Sequence, residues 1–130
     1  MKVREFQNRL KLEVVGGSGG LEKEIRDGYC GDLLSDVMAN AKKGSVWVTV
    51  QSHQNVIAVA LLRELSAIVL ANGRLPEEIT KAKAEEEGVP LMTSPLSAYE
   101  IAGKLYELGI GKADIGKADI GKAGIGKART

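Results

Sequence analysis

Apolar residues in the first 110 positions recur at spacings that switch between those of a helix and those of a strand. Val3, Phe6 and Leu10 fall at helical spacing and predict an opening helix over about Lys2 to Leu10. Leu12 to Val15 reads as a short strand, Gly16-Gly17-Ser18-Gly19-Gly20 as a turn, and Leu21 to Arg26 as a returning second strand. Asp32 is placed to cap a helix over Leu33 to Lys43, with Leu34, Val37, Met38 and Ala41 on one side and Gly44 marking the end. Val46-Trp47-Val48-Thr49-Val50 is a continuous β-prone run, the pattern of a buried strand. Val56 to Leu65 is apolar nearly all round and predicts a buried helix, with Leu61 or Leu62 facing the sheet. Ala67 to Leu70 is the next strand, Asn72-Gly73 a turn, and Pro76 to Glu87 an exposed helix followed by Gly88. Val89 to Met92 supplies another strand. Ser94-Pro95, or the capping box Ser97-Ala98-Tyr99-Glu100, then opens a last helix along Ile101, Leu105 and Leu108.

Strand and helix in alternation from Val46 onward imply crossover connections and an α/β domain, in two or three layers, with a mainly parallel sheet and helices on its faces. Val46–Val50, Ala67–Leu70 and Val89–Met92 are its expected parallel strands. This domain takes up residues 1–110. Residues 111–130 repeat Gly-Lys-Ala-Asp-Ile imperfectly, and the isoleucines at 110, 115, 120 and 125 turn by about 140° from one to the next on a helix, so no face collects them. The repeat resembles the pentapeptide pattern of β-helix proteins, but its few copies are read as a low-complexity basic tail. Its Gly-Ile-Gly-Lys stretches lack the Ser/Thr and the preceding strand of a phosphate-binding loop.

Composition narrows the picture. The 130 residues are 44% hydrophobic and 27% charged with five aromatic side chains, which fits one globular domain built on aliphatic packing. The formal charge of +1 conceals an asymmetry, because the tail carries five basic and two acidic residues and leaves residues 1–110 at −2. A nucleic-acid partner is therefore not expected. No run approaches a membrane span and the first ten residues are charged throughout, so no membrane is expected and the cytoplasm is the predicted compartment. One cysteine and one histidine leave little for a metal, and no cofactor is expected.

The candidate chemistry lies in loops. In an open parallel sheet, ligands bind beyond the carboxyl ends of the strands, where helices begin. Three polar loops belong at that edge, and they nominate Gln51, His53, Asn55, Asn72, Arg74, Thr93 and Ser94 as contacts for a small anionic ligand or nucleotide. Helix amides would favour the negative group and Arg74 would match its charge. The same residues also serve as turn and capping residues without a ligand. No helix pattern directly follows the glycine-rich turn at 16–20, which argues for a loop rather than a dinucleotide site. Cys30 reads as a small buried thiol and His53 as a capping or ligand-contacting imidazole, so an enzyme is not expected. Asp32 and Asp36 read as one capping and one solvated carboxylate.

The segments Asp32-Leu33-Leu34-Ser35-Asp36-Val37-Met38-Ala39-Asn40-Ala41, Gly44-Ser45-Val46-Trp47-Val48-Thr49-Val50-Gln51 and Ala67-Ile68-Val69-Leu70-Ala71-Asn72-Gly73 resemble a stand-alone DRTGG domain. Ser45 and Val46 stand about where that family has Asp-Arg, and Ala71-Asn72-Gly73 where it has Thr-Gly-Gly. The resemblance covers most of residues 1–110. It implies a small α/β module similar to the N-terminal domain of HPr kinase/phosphorylase, of a kind found beside CBS domains in regulated pyrophosphatases. It further implies a non-catalytic regulatory or ligand-sensing role, with a homodimer expected from size and kinship. The alternative is a structural protein that docks on an enzyme complex, such as a hydrogenase-type assembly, and binds no ligand.

Overall fold

The computed structural model describes residues 1–111, so the repeat from 112 to 130 lies outside the described residues. Among these residues five α-helices and five strands are arranged in the order α1 (Val3–Leu10), β1 (Glu13–Gly16), β2 (Asp27–Cys30), α2 (Leu34–Asn40), β3 (Ser45–Thr49), α3 (Asn55–Leu62), β4 (Ala67–Leu70), α4 (Glu78–Glu87), β5 (Leu91–Thr93) and α5 (Ala98–Glu107), with one turn of 3-10 helix at Ser18–Gly20. The strands form one sheet in the order β1-β5-β4-β3-β2. β2 to β5 are parallel, as expected of β3, β4 and β5, and β1 joins β5 antiparallel with a bulge between Val14 and Gly16.

Alternation along the strands divides the core in two. Val46, Val48, Ala67, Val69 and Met92 face one side, where they pack with Val3 and Phe6 of α1 and Ile101 and Leu105 of α5. Trp47, Ile68, Leu70 and Leu91 face the other, against Val37 of α2, Val56 and Ile57 of α3, and Ala84 of α4. The domain therefore has three layers. Trp47 is fully buried and its indole N–H donates to the Gly31 carbonyl at 2.8 Å, so the largest core side chain leaves no polar atom unmet.

Four expectations are corrected here. Leu21 to Arg26 is not a strand: it makes a single bridge, Lys2 with Glu24, and its backbone serves α1 instead. Val3 N donates to Lys23 O at 2.9 Å and Arg4 N to Leu21 O at 2.8 Å, so this segment satisfies amides at the start of α1 that no capping side chain reaches. Asp32 does not cap α2, whose N-cap is Leu33; its carboxylate crosses to β3. Cys30 lies exposed on the outer strand, because β2 has a neighbour on one side only. Finally, α3 buries Val56, Ile57, Val59 and Ala60, whereas Leu61 is 42% and Leu62 70% exposed. Flanked by α2 and α4 and resting on the sheet, α3 is apolar on three sides; its last turn emerges into solvent.

Local signals held where the partner lies close in sequence. Ser97 accepts from Glu100 N at 3.1 Å while the Glu100 carboxylate accepts from Ser97 N at 3.0 Å, the expected capping box of α5. The Ser97 N–H first, and then the Ser97 hydroxyl, which donates to the same carboxylate oxygen at 3.1 Å, hold the Glu100 carboxyl below the usual range.

Candidate functional site

The loops after β3, β4 and β5 are stitched together at the carboxyl end of the sheet. The Ser52 carbonyl accepts from Thr80 Oγ1 at 2.8 Å and from Glu77 N at 3.3 Å, which ties the β3 loop to the start of α4. Asn72 N donates to Leu96 O and Gly73 N to Ser94 O, each at 2.8 Å, tying the β4 loop to the β5 loop. Asn72 makes this turn in the left-handed region, φ 60°, which Asn tolerates better than most residues.

Within this frame the nominated side chains divide. His53, Asn55, Asn72 and Arg74 are exposed. His53 Nδ1 accepts from Asn55 N at 3.2 Å, which caps α3 and assigns the ring proton to Nε2, so the imidazole can donate outward. Gln51 is half-buried and donates through Nε2 to the Asp32 carbonyl at 2.9 Å. Thr93 and Ser94 lie beneath the surface, and the Ser94 hydroxyl accepts from Leu96 N at 3.1 Å. They shape the floor of the edge; the other five approach solvent.

Helix amides contribute less here than expected. Val56 N donates to His53 O and Ile57 N to Gln54 O, so the first amides of α3 are taken within its own turn. The capping box occupies the start of α5, and Glu77 and Glu78 stand at the start of α4. Any charge match for an anion thus falls to Arg74 rather than to backbone dipoles, with the His53 N–H as a neutral donor beside it.

Three residues at this edge escaped sequence reasoning. Asp32 accepts from Thr49 Oγ1 at 2.7 Å and from Val50 N at 2.9 Å, holding the ends of β2 and β3 together. Leu33 and Leu75, from the loops after β2 and β4, are 68% and 71% exposed. Apolar residues in loops adjoining polar ones were the available signal, but exposure itself is a tertiary property.

The glycine-rich turn is a different kind of place. Gly17 N donates to Glu85 Oε1 at 2.9 Å and Ser18 N to the same oxygen at 3.4 Å, so a carboxylate from α4 fills the amides of the loop. Gly17 has φ 75°, and a Cβ there would sit 1.9 Å from the Val89 carbonyl oxygen; at Gly20 one would sit 2.2 Å from that of Gly88. Gly17 and Gly20 are required by close packing on the chain that leads into β5.

Cys30 is not activated: partial burial, and then the nearby Asp32 charge, push its thiol above the ordinary range. Among the described residues no group of three or more His, Cys, Asp or Glu is placed to hold a metal ion, and no helix is long and apolar enough to cross a membrane. At the opposite, amino end of the sheet lies a cavity of about 390 Å³ lined by Lys23, Arg26, Lys43, Leu61, Glu64 and Leu65 among others.

No family model and no curated protein matches this sequence. Among solved structures the chain is similar to the CBS and DRTGG domains of the regulatory region of Clostridium perfringens pyrophosphatase, in complex with its activator diadenosine tetraphosphate. The TM-score is 0.58 at 10% identity, and the match covers 78% of this chain and 44% of that one. This chain thus spans less than half the length of that regulatory region. The likeness is one of fold, in keeping with the resemblance the sequence carries to DRTGG domains.

Proposed function

We propose that this chain is a non-catalytic regulatory module that senses a small ligand bearing a negative group, a nucleotide by class, at the carboxyl edge of its sheet. The observation that carries this reading is the stitched set of loops, which presents an exposed Arg74 guanidinium, the outward His53 N–H and the Asn55 and Asn72 amides on one edge. Leu33 and Leu75 add apolar surface at that edge, suited to the base of a nucleotide whose phosphate lies toward Arg74. The fold is shared with a regulatory region whose activator is a dinucleotide, which supports the same class of role. An unactivated thiol and an imidazole engaged in capping support a role without catalysis.

Thermal-shift measurements with nucleotides and acyl phosphates test the proposal. A ligand that binds the folded state raises the melting temperature with the logarithm of its concentration above Kd, the stabilisation reaching about 2.7 kcal/mol at a hundredfold excess. The rise should be lost in Arg74→Ala and reduced in His53→Ala. A flat response to every compound would leave the docking-protein alternative ahead.

A further inference from the structure

The cavity of about 390 Å³ at the amino end of the sheet has apolar walls as well as charges. Ala60 and Leu61 of α3, Leu65 just past it and Val89 on the approach to β5 give it an aliphatic side, and Lys23, Arg26 and Lys43 also line it. Its other polar side chains are already engaged. Glu24 is held by the amino group of Met1 and Glu64 by Lys43, each at 3.3 Å, and the Ser66 hydroxyl donates to the Glu24 carbonyl. Two cations are left over, because neither Lys23 nor Arg26 joins an ion pair among the described residues. Lys23 donates to the Gly88 carbonyl at 3.1 Å, which answers the carboxyl end of α4 and leaves the ammonium with donors to spare. Partial burial holds that ammonium below its ordinary range, since no carboxylate replaces the lost water. Arg26 rests its aliphatic stem on Gly44, where an added Cβ would lie 2.9 Å from Cδ.

Backbone strain marks the same place. α3 ends in a Schellman turn, with Leu65 N donating to Ala60 O at 2.9 Å and Glu64 N to Leu61 O at 3.2 Å, and Glu64 takes the left-handed position at φ 53°. Glycine suits that position best, and an acid at the carboxyl end of a helix opposes the dipole. The Glu64–Lys43 pair is exposed and adds little to the fold. Strain that the fold does not need gathers at binding sites. We propose that this cavity binds an organic phosphate monoester with a short aliphatic body, its phosphate between Arg26 and Lys23 and its chain on Leu61, Leu65 and Val89. Two uncompensated cations match the charge of about −2 that such a phosphate carries at neutral pH, where a carboxylate would match only one of them. The guanidinium fork suits two phosphate oxygens and the Lys23 ammonium the third. Glu64 is then the internal counter-ion of Lys43, which it yields when the dianion enters. The cavity and the loops assigned to the nucleotide lie at opposite ends of the strands, so the two proposals stand or fall separately.

Titration of hexyl phosphate into the full chain, followed through backbone amide shifts, tests the site. Saturable shifts should gather at Lys23, Arg26, Gly44 and Glu64. Inorganic phosphate and hexanoate should each bind at least about tenfold more weakly, the first because it leaves the aliphatic wall uncovered and the second because it carries half the charge. Arg26→Gln should weaken hexyl phosphate by at least about tenfold while the far-UV spectrum is retained, and Lys23→Met should do the same, whereas Arg74→Ala should leave its affinity unchanged. Glu64→Gly should raise the melting temperature and tighten binding severalfold, because it relieves the left-handed turn and releases Lys43. No shift at millimolar hexyl phosphate would overturn the proposal. So would shifts that Arg74→Ala abolishes and Arg26→Gln does not, or an equal affinity for hexanol, which would reduce the cavity to an apolar hollow.

Discussion

The glycine-rich turn and the carboxyl edge of the sheet both have the composition of a ligand site, and they differ in what their polar groups already hold. At the turn, the Gly17 and Ser18 amides converge on one oxygen of Glu85, and Gly17 and Gly20 sit against the backbone of Val89 and Gly88. An anion site has been filled from within the chain. At the carboxyl edge the backbone groups are also spent, on stitching the loops together, but Arg74 and Asn72 extend into solvent and His53 turns its N–H outward. Convergent amides therefore identify a ligand site only when no internal carboxylate has reached them first.

Substitutions separate the two regions by stability. Gly17→Ala forces a Cβ against the Val89 carbonyl at positive φ and should cost about 2–4 kcal/mol in denaturant unfolding. Glu85→Ala strips the same loop of its carboxylate and should cost about 1–2 kcal/mol; a loss near zero would mean that the turn does not depend on its internal anion. Ser97→Ala, which disrupts the α5 cap bordering the ligand edge, should cost about 1 kcal/mol. That cap also carries a pH signature. Because the folded Glu100 carboxyl is held below its ordinary value, its contribution is complete above the unfolded pKa and fades as the pH falls through the folded one. Ser97→Ala should accordingly lose less stability on acidification than the parent chain. His53→Ala removes the acceptor of the Asn55 amide and should cost about 0.5–1 kcal/mol besides its effect on binding, whereas Arg74→Ala should change stability by less than about 0.5 kcal/mol, as exposed positions do, and act on binding alone. In stability Leu62→Ala belongs with Arg74→Ala, since its side chain stands in solvent.

Much of the fold was legible because its signals are local. The run Val46 to Val50, the run Ala67 to Leu70 and the Ser97 capping box each declare themselves within a few residues, and the alternation of strand and helix then dictates a parallel sheet. The misreadings concern groups whose partners lie far away in the chain. Leu21 to Arg26 has the residues of a strand, but its carbonyls cap α1; Asp32 has the position of a helix cap, but its carboxylate reaches Thr49. Order along the chain was enough to bring the candidate loops to one edge. It could not distinguish Arg74, which is exposed, from Ser94, which is buried and bonded to the next turn of its own loop.

Backbone amide chemical shifts, monitored residue by residue while an adenine nucleotide is titrated into the full chain, test the sensing role most directly. Saturable shifts should gather at His53, Asn55, Asn72, Gly73 and Arg74, with Gly17 and Ser18 unmoved because Glu85 already occupies them. No shift at saturating nucleotide, or shifts confined to Lys23, Arg26 and Lys43 around the amino-end cavity, would contradict the placement of the site.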